Sequence, residues 1–251
     1  MNNYKSVSEF GGKRYKHVFF DMDNTLTPSR SMMTEEMSNF LQELMIEKDV
    51  VIVSGSQESQ VWKQIPEFFR GKISLLVQNG NNAYSSKEGE YLWERKLTDD
   101  EKKDIFSHIS KVEERYVDLI AKVRKEENLI EDRGCQISFS FVGHNAPLED
   151  KMRFDPKGDL RAKIMLEVPL LSRQVGIKIG GTTCFDYNQI GKNKGYNVLE
   201  WMKHFSWQQV DALYVGDALF PGGNDDTMFG VCDTLQVSGH KETLAAIEKM
   251  L

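Results

Sequence analysis

The sequence predicts an α/β fold, with a parallel-sheet core and an inserted α+β cap domain. Short β-branched and aromatic runs alternate with amphipathic segments near both ends of the 251-residue chain. The middle of the chain differs, with one long helical pattern and a stretch that alternates polar and apolar residues. Small polar or acidic residues follow three of the hydrophobic runs directly, where the strands of an open sheet would end.

The elements can be assigned in chain order from these patterns. Runs of Val, Ile and Phe indicate strands, and amphipathic segments between them indicate helices. The first part reads as a strand at His17–Met22, a helix near Thr34–Lys48, a strand at Val50–Val53, a helix near Glu58–Phe69 and a strand at Ile73–Val77. The last part reads as a helix at Lys194–His204, a strand at Ala212–Val215 and a closing helix at Lys241–Met250.

The central region predicts a separate α+β unit. Thr98 and Glu101 have the spacing of a capping box ahead of a long helix. Gln136–Val142 alternates polar and apolar residues, which predicts an antiparallel strand with one exposed face. The other predicted elements are a strand at Tyr91–Glu94, a helical pattern with apolar residues from Ile105 to Val123, a helix around Pro156–Val168 and a strand at Val175–Ile179. We therefore predict a cap at residues 83–186 and a discontinuous core at residues 1–82 and 187–251.

Composition is that of an ordinary enzyme. The net charge of −6, from 32 basic and 38 acidic residues, does not favour binding to nucleic acid or to an anionic membrane. Three cysteines without CxxC spacing indicate neither a disulfide framework nor a zinc site. The amino terminus lacks the apolar segment of a signal peptide, and no stretch reaches the roughly 18 apolar residues of a membrane-spanning helix. We therefore expect a cytoplasmic protein.

Asp21 and Asp23 stand where the first predicted strand ends. Residues i and i+2 of an extended chain point to the same side, so the two carboxyl groups emerge together. Their repulsion can keep one group protonated while the other stays ionised, which suits a nucleophile paired with a general acid. A strand that ends in a turn would also favour Asp and Asn here, so the pair alone leaves both interpretations open.

Ser54, Asp217 and Lys194 extend this pattern to other predicted elements. Ser54 follows the strand at Val50–Val53, Asp217 follows the strand at Ala212–Val215, and Lys194 opens a helix. Ligands of open α/β sheets bind at the carboxyl ends of strands, where these loops would converge. Each residue also has a plainer interpretation, because Ser54 would suit a helix N-cap, Asp217 a turn, and a lysine at a helix start an exposed surface.

Asp, Asp, Ser, Lys and Asp in this chain order resemble the haloacid dehalogenase superfamily, whose members mostly transfer phosphoryl groups through an aspartyl-phosphate. Asp21-Met-Asp-Asn-Thr-Leu-Thr-Pro-Ser-Arg30 is similar to the first motif of the eukaryotic-type phosphomannomutases. Gly216-Asp-Ala-Leu-Phe-Pro-Gly-Gly-Asn-Asp225 is similar to their fourth motif. The weaker matches, in the expected order, are Gln78-Asn-Gly80, Arg133-Gly134, Phe154-Asp155, and Gly180-Gly181 through Phe185-Asp186. The resemblance implies a Rossmann-like core and a cap that selects the substrate.

The chain departs from that family at two places. The mutases carry glycine at the position of Ser54 and serine at the position of Ser56, whereas serine or threonine at Ser54 is the habit of the broader phosphatase subfamily with this cap type. In the cap, His144 aligns with a phosphate-gripping arginine, and another arginine has no counterpart. Histidine is a weaker and pH-dependent substitute for arginine. The sequence thus lies between a mutase and a phosphatase.

Phosphate-ester chemistry assigns a role to each candidate residue. Charge neutralisation and in-line positioning dominate phosphoryl transfer, and Mg²⁺ with oxygen ligands supplies the first. Asp21 is the expected nucleophile and metal ligand, and Asp23 the general acid and base that also offers its backbone carbonyl to the metal. The remaining expected residues are Asp217 with Asn224 or Asp225 for the metal, Ser54 and Lys194 for the phosphoryl oxygens, and Arg30, Ser56, Arg133 and His144 for the substrate.

Three functional hypotheses follow. The first is a Mg²⁺-dependent phosphatase that acts on a small phosphorylated metabolite, such as a sugar phosphate. The second is a phosphomannomutase, in which a sugar hydroxyl instead of water attacks the phospho-aspartate. The third is a non-catalytic phosphosugar-binding module on the same fold. A mutase must hold phosphate at both ends of its substrate, and the shortage of cap cations favours hydrolysis. A homodimer formed through the cap is in keeping with the mutase resemblance.

Overall fold

The computed structural model describes residues 4–12 and 15–251, and the chain divides into two compact units. Unit 1 comprises the described parts of Met1–Glu94 together with Lys192–Leu251, and unit 2 comprises Arg95–Gly191. The strands, in chain order, are β1 (Tyr4–Lys5), β2 (His17–Asp21), β3 (Asp49–Val53), β4 (Ser74–Val77), β5 (Asn82–Ser85), β6 (Glu90–Glu94), β7 (Ile130–Asp132), β8 (Gln136–Ser140), β9 (Val175–Gly180), β10 (Cys184–Gln189), β11 (Ala212–Gly216) and β12 (Asp233–Gln236). The α-helices are α1 (Glu35–Glu47), α2 (Glu58–Gln64), α3 (Asp99–Arg115), α4 (Val117–Val123), α5 (Leu148–Phe154), α6 (Asp159–Glu167), α7 (Lys194–His204) and α8 (His240–Met250).

Unit 1 is built on one eight-stranded sheet with the strand order β1-β12-β11-β2-β3-β4-β5-β6. The first six strands in that order pair in parallel, and β5 and β6 add an antiparallel edge. Successive residues of a strand face opposite sides of a sheet. Val18 and Phe20 accordingly join one hydrophobic cluster with α1 and α8, while Phe19 joins another with α7. The predicted α/β fold with a mostly parallel sheet is confirmed.

The units meet in sequence at Glu94–Arg95 and at Gly191–Lys192, whereas we expected boundaries at 82/83 and 186/187. The difference arises because the β5–β6 hairpin pairs with β4 and so extends the large sheet of unit 1. The sequence pattern predicted a strand at Tyr91–Glu94. A strand pattern alone does not show which of two sheets the strand joins.

The predicted helices of unit 1 match the observed ones to within one residue, except at the end of α2. Thr34 caps α1, since its Oγ1 accepts a hydrogen bond from the Met37 amide at 3.2 Å. The predicted helix to Phe69 was too long. α2 ends at Gln64 because Pro66 forces Ile65 into an extended conformation, and a separate 3₁₀ turn follows at Glu67–Phe69.

Unit 2 contains a four-stranded antiparallel sheet, ordered β7-β8-β10-β9, with α3 to α6. The predicted capping box of α3 is confirmed, with the Thr98 amide 2.8 Å from the Glu101 carboxylate. The predicted long helix is interrupted at Tyr116, whose φ of −118° separates α3 from α4. The predicted helix around Pro156–Val168 is shorter, as α6, and α5 precedes it as an additional helix.

The expected exposed face of the strand at Gln136–Val142 is wrong. All five residues of β8 are buried, including its polar ones. The hydroxyl of Ser138 donates to Asp186 at 2.6 Å, and the hydroxyl of Ser140 donates to Thr183 at 3.2 Å. The alternation of polar and apolar residues in β8 therefore indicated two chemically different faces, one apolar and one hydrogen-bonded.

None of the helices in residues 4–12 and 15–251 has the length and hydropathy of a membrane span.

Candidate active site

Three of the predicted site residues, Asp21, Ser54 and Asp217, lie along one edge of the large sheet. β2 pairs in parallel with β3 through Asp21 and Val53, and with β11 through Phe20 and Val215. Parallel strands end at the same edge, so Asp21, Ser54 and Asp217 all emerge there. The sheet register thus brings together three residues that the sequence separates widely.

Lys194 lies at the centre of this group although it opens a helix. Its Nζ is 2.5 Å from Asp21 Oδ1 and 2.7 Å from Asp225 Oδ1, and its side chain is 1% exposed. Asn193 caps α7, and its side chain accepts a hydrogen bond from the Tyr196 amide at 2.9 Å. This cap fixes the start of the helix, and Lys194 is the first helical residue. A cation buried this deeply requires carboxylate partners. The alternative of an exposed lysine at this position is therefore wrong.

Three carboxyl groups gather around that ammonium group. Asp21, Asp217 and Asp225 place one oxygen each within 4.8 Å of one another. Three carboxylates and one ammonium carry a net charge of −2, which a divalent cation would balance, and hard cations prefer oxygen ligands. Asp21 Oδ2 is buried and has no hydrogen-bond partner among the described residues. The donor set and this unpartnered oxygen fit a bound divalent cation.

Burial perturbs the acids of the site. It raises the pKa of Asp21 to about 7, although the Lys194 ammonium opposes the shift. Burial, reinforced by the nearby Asp225, also raises the pKa of Asp217. Burial alone would lower the pKa of Lys194, but the two carboxylates outweigh it and raise that pKa above its ordinary value. The site therefore holds its negative charge at an energetic cost that a bound cation would relieve.

Tyr214 belongs to the site and was missed by sequence reasoning. Its hydroxyl donates to Asp225 Oδ1 at 2.6 Å and lies 3.4 Å from the Lys194 Nζ. Burial raises its pKa well above the ordinary value, so the hydroxyl stays a donor. The sequence signal was weak, because a tyrosine within a buried strand is typical of a hydrophobic core.

The carboxyl group of Asp23 lies beside Asp21 in sequence but has different partners. Its Oδ1 accepts hydrogen bonds from the Arg30 amide at 2.6 Å and from Gln64 Nε2 at 3.1 Å. Arg30 therefore contacts Asp23 through its backbone, at a φ of +54°, while its side chain is exposed. Gln64 was also missed. Its signal was a polar residue between apolar Val61 and Ile65 in α2, where it is buried.

Ser54 is buried directly after β3, and its Oγ accepts a hydrogen bond from the Ser56 amide at 3.1 Å. Ser54 does not cap the next helix, because Gln57 occupies the N-cap position of α2. Of the two neighbours proposed for the metal, Asp225 is buried within the carboxylate group, whereas Asn224 is exposed.

The two substrate-binding candidates of unit 2, Arg133 and His144, lie beside the same acid, Glu131. Nε and Nη2 of Arg133 donate to Glu131 Oε2 at 2.9 and 2.5 Å. His144 Nε2 donates to the Ser138 carbonyl at 3.2 Å, and its Nδ1 is 3.6 Å from the same Glu131 oxygen. Both side chains thus already have a partner within unit 2. Substrate contact by either of them stays a prediction.

Comparisons with known proteins point to one family and one fold. The family model described as eukaryotic phosphomannomutase matches residues 37–251. Phosphomannomutase 1 of Mus musculus is 26% identical over 230 residues, covering 88% of this chain and 86% of the mouse protein. Phosphomannomutase 1 of Dictyostelium discoideum is 30% identical over 218 residues, covering 82% of this chain and 83% of that protein. A solved haloacid dehalogenase-like hydrolase from Bacteroides thetaiotaomicron shares the fold, with a TM-score of 0.65, 13% identity, and coverage of 94% of this chain and 100% of that one.

Proposed function

The chain belongs to the eukaryotic phosphomannomutase family, and from this premise we propose that it is a Mg²⁺-dependent phosphatase acting on a small sugar phosphate. One observation carries the proposal, and it is the state of the Asp21 carboxylate. Its Oδ1 is held by Lys194 at 2.5 Å, and its Oδ2 is buried without a partner among the described residues. A buried oxygen of this kind is available to an incoming electrophile or cation.

In the first half-reaction Asp21 would attack the phosphorus of the bound ester. A bond forms between a carboxylate oxygen of Asp21 and phosphorus, and the bond from phosphorus to the sugar oxygen breaks. Asp23 would give its proton to that leaving oxygen, as a general acid. Lys194 would hold the nucleophile and stabilise the negative charge on the phosphoryl oxygens, together with Ser54.

In the second half-reaction a water molecule would attack the phospho-aspartate. Asp23, now ionised, would accept a proton from that water, and Asp21 would be released as a carboxylate with inorganic phosphate as product. The hydrogen bonds of Asp23 to the Arg30 amide and Gln64 support this assignment, since they orient its carboxyl group for both transfers.

Asp21, Asp217 and Asp225, with the backbone carbonyl of Asp23, would hold the Mg²⁺ ion. When bound there, Mg²⁺ would neutralise the phosphoryl charge and keep Asp21 ionised. Tyr214 and Lys194 would keep Asp225 in place through its Oδ1, at 2.6 and 2.7 Å. We assign no metal contact to Asn224, whose side chain is exposed.

Phosphomannomutase activity is the second candidate, and family membership favours it. A mutase must bind phosphate at both ends of its substrate and so needs free cations in its cap. In unit 2, Arg133 and His144 both lie against Glu131, which reduces the positive charge available for a second phosphate. This pairing, together with serine at position 54, is our reason for placing hydrolysis first.

One experiment separates the candidates. The protein is incubated with Mg²⁺ and a panel of hexose 1- and 6-phosphates, with and without a catalytic amount of hexose 1,6-bisphosphate. We expect Mg²⁺-dependent release of inorganic phosphate that chelation abolishes. Isomerised sugar phosphate, dependent on the bisphosphate, would establish the mutase instead, and saturable binding without either product would establish a binding module. Cytoplasmic location and a homodimer stay predictions.

A further inference from the structure

Gln236 is the last residue of β12 and lies beside the candidate metal ligand Asp217. β12 pairs in parallel with β11 as far as Gly216 and Gln236, and the Val237 amide donates to the Gly216 carbonyl at 3.0 Å. Asp217 is the next residue after β11. Gln236 therefore stands where the strand pairing stops and the loop that carries Asp217 begins.

The Gln236 side chain continues the contact between the two segments beyond the paired strands. Its Nε2 donates to the carbonyl of Asp217 and, at 3.0 Å, to that of Val237. Its Oε1 accepts a hydrogen bond from the Leu219 amide at 2.9 Å. Both N–H groups and the oxygen of the amide thus have partners, and this fixes the orientation of the side chain, since its NH₂ group must face the two carbonyls. The backbone of Asp217 and of Leu219 is thereby tied to the end of β12.

The same short segment is also tied to the buried acid Asp225. The Ala218 amide donates to Asp225 Oδ2 at 3.3 Å, and the Asp225 amide donates to the Ala218 carbonyl at 3.3 Å. The packing is close, because a Cβ atom at Gly216 would lie 2.4 Å from Asp225 Oδ2 and one at Gly223 would lie 2.1 Å from the Ala218 carbonyl oxygen. A shift of this segment would therefore move Asp217 and Asp225 relative to Asp21.

We propose that Gln236 is a positioning residue for the divalent-cation site, acting through the backbone of Asp217 and Leu219. This inference rests on the Mg²⁺ site of the proposed function. The amide of Gln236 is occupied by the backbone, so it would hold Asp217 in place without touching the cation or the substrate. Residues that orient metal ligands in this way typically contribute about 10- to 100-fold to metal affinity.

Binding of Mn²⁺ to the full chain tests the proposal without any substrate. Mn²⁺ prefers the same oxygen ligands as Mg²⁺, and electron paramagnetic resonance measures the free ion during a titration. Gln236→Met keeps the length of the side chain and removes its three hydrogen bonds, so we expect Mn²⁺ to bind about tenfold more weakly. Gln189→Met is the matched control, because Gln189 is also half-buried but donates to Glu101 in unit 2, at 3.0 and 2.9 Å. Its Mn²⁺ affinity should be unchanged.

A second variant and a thermal unfolding curve guard against simple damage to the fold. Gln236→Asn keeps the amide group and shortens the side chain by one methylene, so it cannot span both backbone partners, and we expect it to weaken Mn²⁺ binding as well. Mn²⁺ binding as tight as that of the unmodified protein, in either variant that unfolds at an unchanged temperature, would overturn the proposal. If both variants unfold at a lower temperature with unchanged Mn²⁺ affinity, the role of Gln236 is structural and the proposal is wrong.

Phosphate release distinguishes a positioning role from a general loss of activity. In Gln236→Met the Mg²⁺ concentration for half-maximal release should rise about tenfold, while the KM for the sugar phosphate and the turnover at saturating Mg²⁺ stay unchanged. Turnover that saturating Mg²⁺ does not restore would contradict the proposal.

The two conclusions can fail separately. Weaker Mn²⁺ binding by Gln236→Met, with no phosphate released from any sugar phosphate by the unmodified protein, would support the positioning role and refute the phosphatase. Phosphate release with unchanged Mn²⁺ binding in the variant would do the opposite. An unmodified protein that binds no Mn²⁺ would overturn both.

Discussion

Unit 1 and unit 2 each bury a charged group, but they complete its hydrogen bonding differently. In unit 2, Arg161 is wholly buried and donates to both the carboxylate and the carbonyl of Asp155 and to the carbonyls of Gly180, Gly181 and Cys184. In unit 1, the buried Asp21 keeps one oxygen without a partner among the described residues. The first arrangement is complete within the protein, whereas the second leaves one buried oxygen open to a cation or an electrophile.

The contrast distinguishes a buried charge that has a structural role from one that has a functional role. A fully paired buried ion stabilises one conformation of the segments around it, here the β9–β10 turn. A partly paired one costs free energy in the unliganded protein, and the raised pKa of Asp21 reflects that cost. Substitutions on the two sides should therefore separate activity from stability.

Asp21→Asn should produce the largest effect. We expect phosphoryl transfer to fall at least about a thousandfold, because the amide cannot act as nucleophile. Unfolding in urea should stay within about 1 kcal/mol of the unmodified protein, since one of three crowded carboxylates is removed. The matched control is Asp226→Asn, one residue beyond Asp225 and outside the carboxylate group. Full turnover by Asp21→Asn would refute the assignment of the nucleophile.

Arg161→Met should show the reverse pattern, with a large loss of stability. Removing one partner leaves the Asp155 carboxylate buried without its cation, which costs about 3–5 kcal/mol. The control is Arg153→Met, whose side chain is 72% exposed beside Glu149 and should contribute about 0.5 kcal/mol or less. Urea denaturation measures both variants. Equal stability of the two variants would show that the buried pair is not the anchor of this turn.

Tyr214→Phe should give an intermediate effect on both properties. The variant loses the donor 2.6 Å from Asp225 Oδ1, so we expect stability to fall by about 1–2 kcal/mol. The same loss should raise the Mg²⁺ concentration needed for half-maximal activity several-fold, because Asp225 is less firmly positioned. A loss of stability with an unchanged Mg²⁺ dependence would make Tyr214 a purely structural residue.

His108 should give the smallest effect, visible as a pH dependence of unfolding. Its Nε2 donates to the Val168 carbonyl at 2.7 Å, so Nδ1 accepts from Tyr187 at 2.9 Å, and burial lowers its pKa. The unfolded chain therefore binds this proton first as pH falls through about 6.5, and stability decreases below that pH. In His108→Gln the decrease between pH 7 and pH 5 should be smaller. An identical decrease in the variant would assign the effect to other groups.

The sequence was informative where a local signal was recognised. The capping box at Thr98 and the β-branched runs act over a few residues, and both were interpreted correctly from local patterns. The predicted helix nevertheless continued past Pro66, the residue that ends α2. The sequence was less informative about β8, where alternation distinguished two faces but not that both are buried. It also missed Gln64 and Tyr214, because a polar atom on a buried element shows its use only through its partner.

The sequence by itself determined the alternating architecture and the identity of the acids that end β2 and follow β11. The tertiary structure decided the rest, including the contacts of Lys194 with both Asp21 and Asp225, and the position of Arg133 and His144 beside one glutamate in unit 2. The physical reason is distance along the chain. Lys194 and Asp21 are 173 positions apart, and their 2.5 Å contact depends on sheet register and helix packing that no local pattern encodes.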